Sequence, residues 1–182
     1  PEALRQPSSP RIARPERRAI SQSIEDLAAA LPDRPGRRPR TTPTNPHSQL
    51  DQQPPRAVIE ALLGRLSAMP GVQVGPSLRA PFGTVGFHLP RAAAGGPAEA
   101  FLIAREFAHV HPDPDGSLHL ALPPGLSEAA IAAGWAEPHP LAGRPTVSPQ
   151  TVMAYAPRDA AETDVVLGLV EAARRYAAGE RR

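Results

Sequence analysis

FAHVHPDPDGSLHLAL, residues 107–122, decides how this chain folds. Leu118, Leu120 and Leu122 alternate with Ser117, His119 and Ala121, so a strand here turns one wholly apolar face to a core and a polar or small face the other way. Upstream, Ala108 and Val110 alternate with Phe107, His109 and His111. Pro112–Gly116 reads as a hairpin loop. Pairing His111 with Ser117 and His109 with His119 keeps each face uniform, whereas a one-residue slip would mix leucine with imidazole. Directly opposed side chains have Cβ atoms about 4.5–5.5 Å apart, close enough for His109 and His119 to share a ligand, a proton or a metal.

Working outward, RAVIEALLGRLSAM (56–69) sets Val58, Ile59, Leu62, Leu63 and Leu66 on one helical face, with Pro54-Pro55 leading in and Pro70-Gly71 ending it. Segments 72–78 and 83–89 read as strands joined by a turn around Pro81. AEAFLI (98–103) fits a strand or a short helix. LSEAAIAAG (126–134) reads as a helix capped by Ser127 and stopped by Gly134. WAEPH (135–139) and VMAYA (152–156) are further strands. Asp159 caps a last helix whose Val165, Val166, Leu169, Val170 and Ala173 make an apolar stripe. Strands clustered between helices, with hairpin-length connections and no βαβ repetition, predict an α+β fold with a mainly antiparallel sheet and helices packed on one face.

The N-terminal third has a different texture. Residues 1–20 combine Pro, Ser and Arg with almost no large apolar side chains and are expected to be a disordered tail. Residues 21–36 hold a marginal helix, capped by Ser21 or Ser23, and a linker. The proline-rich stretch 33–55 must be extended or irregular, because proline removes backbone donors and biases its predecessor away from helix.

Composition bounds the function. The 182 residues suffice for one core. With no cysteine, thiolate metal sites, disulfides and thiol nucleophiles are excluded. All 20 basic residues are arginine, which excludes a lysine Schiff base. No run spans a bilayer and no secretory signal is visible, so the cytoplasm is the expected location and no membrane partner is expected. Residues 1–40 carry nine Arg against five acids, whereas 54–182 carry eleven against twelve. The basicity therefore lies outside the core, and with 4% aromatic residues the core is not expected to bind nucleic acid.

The motifs RPRTTPTNPHSQLDQ, GFHL, REFAHVHP, DGSLHLALPP, GWAEPHPLA and VMAYAPRD, in that order, resemble the luciferase-domain family of small bacterial and fungal proteins. The resemblance runs from about Arg37 to Tyr176. It implies a single luciferase-like α+β domain over 37–180, with the proline-rich 37–53 segment inside it and His47 docked on the sheet. It assigns no catalytic residue and no cofactor, and light emission is not expected from it.

The candidate ligand-binding residues are His109, His111, Ser117 and His119 on the hairpin, with Trp135, Glu137 and His139 alternating on the next strand face. Glu106 is a further candidate to complete the pocket. This face reads as the wetted side of a half-covered sheet, as a small-molecule pocket, or as a metal site. Two opposed histidines without a third ligand are a weak metal signature, so no metal is assigned. Core anchoring explains Trp135 as simply as ligand stacking does. His88 is expected to be exposed. The favoured function is small-molecule binding in a histidine-lined pocket; the alternative is a non-enzymatic interaction module whose Arg-rich tail engages an acidic partner. Oligomeric state is not legible.

Overall fold

A computed structural model describes residues 23–80 and 82–180. The tail expected at 1–20, the Ser21 cap and Pro81 lie outside the described residues. The elements are α1 (Ile24–Ala30), α2 (Arg56–Ser67), β1 (Gln73–Pro76), β2 (Val85–His88), β3 (Glu106–Val110), β4 (Leu118–Ala121), α3 (Pro124–Ala132), β5 (Ala136–Pro138), β6 (Thr151–Ala154) and α4 (Ala160–Ala178). Segment 98–103 holds one 3₁₀ turn, Ala98–Ala100. The strands form one sheet in the order β1-β2-β3-β4-β6-β5, and every neighbouring pair is antiparallel. The α+β class and the antiparallel sheet are as the sequence predicts.

The hairpin has the register that its alternation demands: Ala108 faces Leu120, His109 faces His119, and Val110 faces Leu118. Its apolar face joins Val152 and Ala154 of β6 in the core, against Leu62 and Leu66 of α2 and Val166, Leu169 and Val170 of α4. Asp159 caps α4 by accepting from the Glu162 N–H, and Gly179 closes it at φ 75. Ser23 and Asp26 make a reciprocal capping box on α1.

Two expectations need correction. Helix α3 starts at Pro124, with Pro123 as N-cap, so Ser127 is an interior helical residue whose N–H bonds the Pro123 carbonyl. Proline at the first helical position has its φ preset and lacks a donor the turn would leave unpaired, which places the cap four residues earlier. Phe107 does not share a face with His109. The β2–β3 register breaks between Phe87 and His88, so that Phe87 faces Ala108 while His88 faces Glu106. This bulge sends Phe107 into the core and swings Glu106 onto the histidine side.

That side is not open to water. Residues 37–53 cross it as a strap, held by the Thr41–Gln49 bridge and by Asp51, which accepts from Arg37 and Arg40. Gln49 fastens it: its side-chain oxygen accepts the Ala156 N–H, while its side-chain amide donates to the carbonyls of Asp51 and Gln52. Residues 23–36 dock on the same body, α1 against α3 and Arg34 against Glu162 at 3.3 Å.

Candidate functional site

Five of the six histidines meet under the strap. β3 contributes His109, the position just after that strand His111, β4 His119, the chain leaving β5 His139, and the strap His47. His119 lies at the centre, its ring 4.8 Å from those of His111 and His139, 5.1 Å from His109 and 5.3 Å from His47. All but His139 are buried, with His109 3% and His119 6% exposed, so the wetted-face reading does not hold.

A continuous hydrogen-bonded chain runs through the cluster. Glu106 Oε1 lies 2.6 Å from His109 Nδ1, and His109 Nε2 lies 3.0 Å from His119 Nδ1. His119 Nε2 is 3.1 Å from His47 Nδ1, and His47 Nε2 is 2.7 Å from Glu137 Oε1. Tyr155 donates its hydroxyl to the other Glu137 oxygen at 2.9 Å. On a side branch His111 Nδ1 lies 3.1 Å from both Asp115 Oδ2 and Ser117 Oγ. Three carboxylates thus stand on the outer nitrogens of three histidines.

Burial and mutual repulsion lower the pKa values of His109, His119 and His139. Burial, then the positive charge that His109 and His111 would carry, pushes His119 well below its usual value. His109 is lowered by burial, against the pull of Glu106. Burial and then His47 bring His139 down to about 4. For the carboxyls burial works upward but is outweighed. His109, the Leu78 N–H and Ser77 hold Glu106 below the usual carboxylate range, and His111 and Ser117 do the same for Asp115. His47 and Tyr155 are among the groups that lower Glu137, while burial and Glu137 raise Tyr155 to about 12.

Beside the cluster opens a cavity of about 760 Å³. His109, His111, His119 and His139 line it on one side, and Leu102, Pro112 and Val147 give it apolar wall. The hydroxyls of Thr84 and Thr151, two more lining residues, are buried with no hydrogen-bond partner among the described residues. Arg79 lies at the rim, exposed, and among the described residues it pairs with no carboxylate.

The structure therefore gathers His109, His111, Ser117, His119, Glu137 and His139 from the sequence candidates. Trp135 stands apart. It is 2% exposed, belongs to the hydrophobic core, donates its indole N–H to the Pro32 carbonyl and lies 5.9 Å under the Arg34 guanidinium. A ring clamped in this way is a core anchor and does not line the cavity. His88 takes no part in the cluster. The sequence reading singled out neither Asp115, Tyr155, Thr84 nor Thr151. Asp115 sits in the hairpin loop, where Asp and Gly are ordinary turn residues, and nothing in its spacing marks it as a histidine partner.

Fold and cluster together define a small α+β domain with a buried polyhistidine face under a proline-rich strap. Residues 104–173 match the family model described as Luciferase domain, so the family resemblance holds over this segment. Over 74 residues the chain is 42% identical to a Luciferase of Armillaria ostoyae, 40% to one of Armillaria mellea and 42% to one of Neonothopanus nambi. Each match covers 40% of this chain and 28% of the relative, so the chain spans little more than a quarter of the length of these curated relatives. No solved structure matches the chain. The family segment includes every cluster histidine except His47.

Proposed function

We propose that this protein binds a small oxygen-bearing organic molecule in the cavity beside the histidine cluster. The observation that carries the reading is the pair of buried hydroxyls, Thr84 Oγ1 and Thr151 Oγ1, unpartnered among the described residues and lining the same cavity as five histidines, His47 of the strap among them. Buried polar groups without partners cost on the order of 1–3 kcal/mol each, and a ligand's polar atoms offset that cost. The apolar wall with a few convergent polar groups is the usual make-up of such a site, and its volume is within the usual range of about 300–1,000 Å³. Arg79 at the rim favours an acid or an enol over a cation. Imidazoles beside it are suited to exchange a proton with such a ligand. The name of these relatives, Luciferase, belongs to proteins of which the matching segment is 28%, and the proposal takes from them only the domain.

The test is saturation-transfer NMR on the metal-free protein with a fragment set of carboxylic acids, phenols and neutral amides. Acids and phenols should bind preferentially and shift the imidazole signals of His111 and His139, and Thr84→Val should weaken them. Binding that leaves those signals unmoved, or that is indifferent to the threonine, would place the ligand elsewhere.

A further inference from the structure

We infer that His109, His111 and His119 ligate a divalent transition-metal ion whose open coordination position faces the cavity. This deepens the reading of the cavity as a ligand site and rests on it. The argument is a count of protons. The chain Glu106–His109–His119–His47–Glu137 contains four contacts at hydrogen-bond distance, each of which needs one proton. Three imidazoles with one ring proton each bring three. With both terminal carboxylates ionised, His109 donates from Nδ1 to Glu106, and His47 donates from Nε2 to Glu137. His47 then accepts at Nδ1 from His119 Nε2–H. The tautomers follow from these partners. What is left is His109 Nε2 and His119 Nδ1, 3.0 Å apart, each presenting a lone pair to the other with nothing between them.

A third lone pair converges on the same place. His111 carries its proton on Nδ1, toward Asp115, and its Nε2 has no hydrogen-bond partner among the described residues. One added proton would settle the His109–His119 contact and leave His111 unsatisfied; a metal ion takes all three lone pairs at once. Ligand atoms of the three residues lie within 4.8 Å of one another. At metal–nitrogen distances of about 2.0–2.1 Å, tetrahedral ligands stand about 3.3 Å apart, so the 3.0 Å pair opens only slightly. Glu106 on His109, Asp115 on His111 and, through His47, Glu137 behind His119 supply the second shell that orients metal-binding imidazoles. An all-imidazole set suits zinc, copper, iron or nickel rather than magnesium or calcium.

The competing triad, His47, His119 and His139, is also compact. It fails on its tautomers. His139 accepts the Leu141 N–H at Nδ1, so the neutral ring has its proton on Nε2 and no lone pair for a metal. His47 Nδ1 is already the acceptor for His119.

The probe is cobalt(II), added to tag-free full-length protein after dialysis against a chelator, with zinc(II) as competitor. One ion per chain should bind, giving the visible bands of a nitrogen-ligated ion of low coordination number that zinc abolishes. His111→Gln should remove the bands and His139→Gln should keep them. Asp115→Asn and Glu106→Gln, which leave the ligands in place, should weaken binding about 10- to 100-fold. Circular dichroism on every variant separates lost binding from lost fold, and the graded second-shell variants decide the matter if a ligand variant unfolds. Absence of stoichiometric binding, binding indifferent to His111→Gln, or bands lost in a folded His139→Gln protein overturns the proposal. Fragment binding to the metal-free protein is read independently. Fragments without metal would leave the cavity reading standing, and metal without fragments would refute that reading alone.

Discussion

His109 and His119 stand directly opposite each other across the β3–β4 pair, with Nε2 of one 3.0 Å from Nδ1 of the other. The pairing is a by-product of the leucine pattern. Burying Leu118 and Leu120 fixes the register, and the register brings the imidazoles together on the reverse face. Stability and site are thus encoded in alternate residues of one strand.

Leu120→Ala should cost about 2–5 kcal/mol, as other buried leucine truncations do. For Ser117→Ala the open-face reading predicts almost nothing. The structure buries Ser117 completely and ties its hydroxyl to Asp115 and His111, so a loss of about 1–3 kcal/mol is expected instead. Urea melts of both variants check this, and a silent serine variant would mean that the strap does not seal the face.

Glu162 contributes to the acid sensitivity of the fold. Burial raises its carboxyl, but the Arg158 bonds and then the Arg34 charge outweigh that and hold it below its ordinary 4.5. A carboxyl depressed in the folded state stabilises fully above its unfolded value and ceases to do so as pH falls below 4.5 toward its folded value. The gap in melting temperature between wild type and Glu162→Gln should therefore be widest at neutral pH and close as pH drops through that window. A gap constant with pH would refute it.

Two glycines should respond in opposite directions to alanine. A Cβ at Gly96 would lie 2.1 Å from the Tyr176 carbonyl oxygen, a backbone atom, so Gly96→Ala should lift the end of α4 at a cost of about 1–3 kcal/mol. At Gly64, inside α2, the added Cβ meets nothing within 4 Å, and alanine should stabilise by about 0.5–1 kcal/mol. Thermal melts of the two variants shifting in the same direction would contradict this.

Gln49→Ala should loosen the strap. It strips the buried Ala156 N–H of its acceptor, at a cost of about 1–3 kcal/mol. Hydrogen exchange at the Ala156 amide should quicken, and trypsin should cut sooner after Arg40. Unchanged exchange at that amide would show that Gln49 is not the fastener.

The hairpin, α2 and α4 were legible because their apolar spacing has one physical solution. The candidate site was half legible for the same reason: His109, His119 and His111 follow from alternation. Glu106 does not, since a bulge at Phe107 breaks the period between it and the histidines, and the Trp135-Glu137-His139 alternation gave no sign that Arg34 and Pro32 would claim the indole. His47 lies between prolines in a stretch without period. Only the family motif suggested that it docks, because its position depends on contacts across 72 and 90 residues of chain.

Those spans also order events in time. The hairpin closes a short loop, while the strap must close loops of 66 residues to Asp115 and 107 to Ala156 before these contacts with the rest of the domain form. Local pairings form before distant ones, since each distant contact must first overcome the entropy of a larger loop. The nascent sheet therefore passes through a stage in which its imidazoles are still bathed in solvent, and the strap arrives afterwards as a seal. A ligand of the kind proposed for the cavity would find its widest entrance during that stage and a narrower one once the strap has closed.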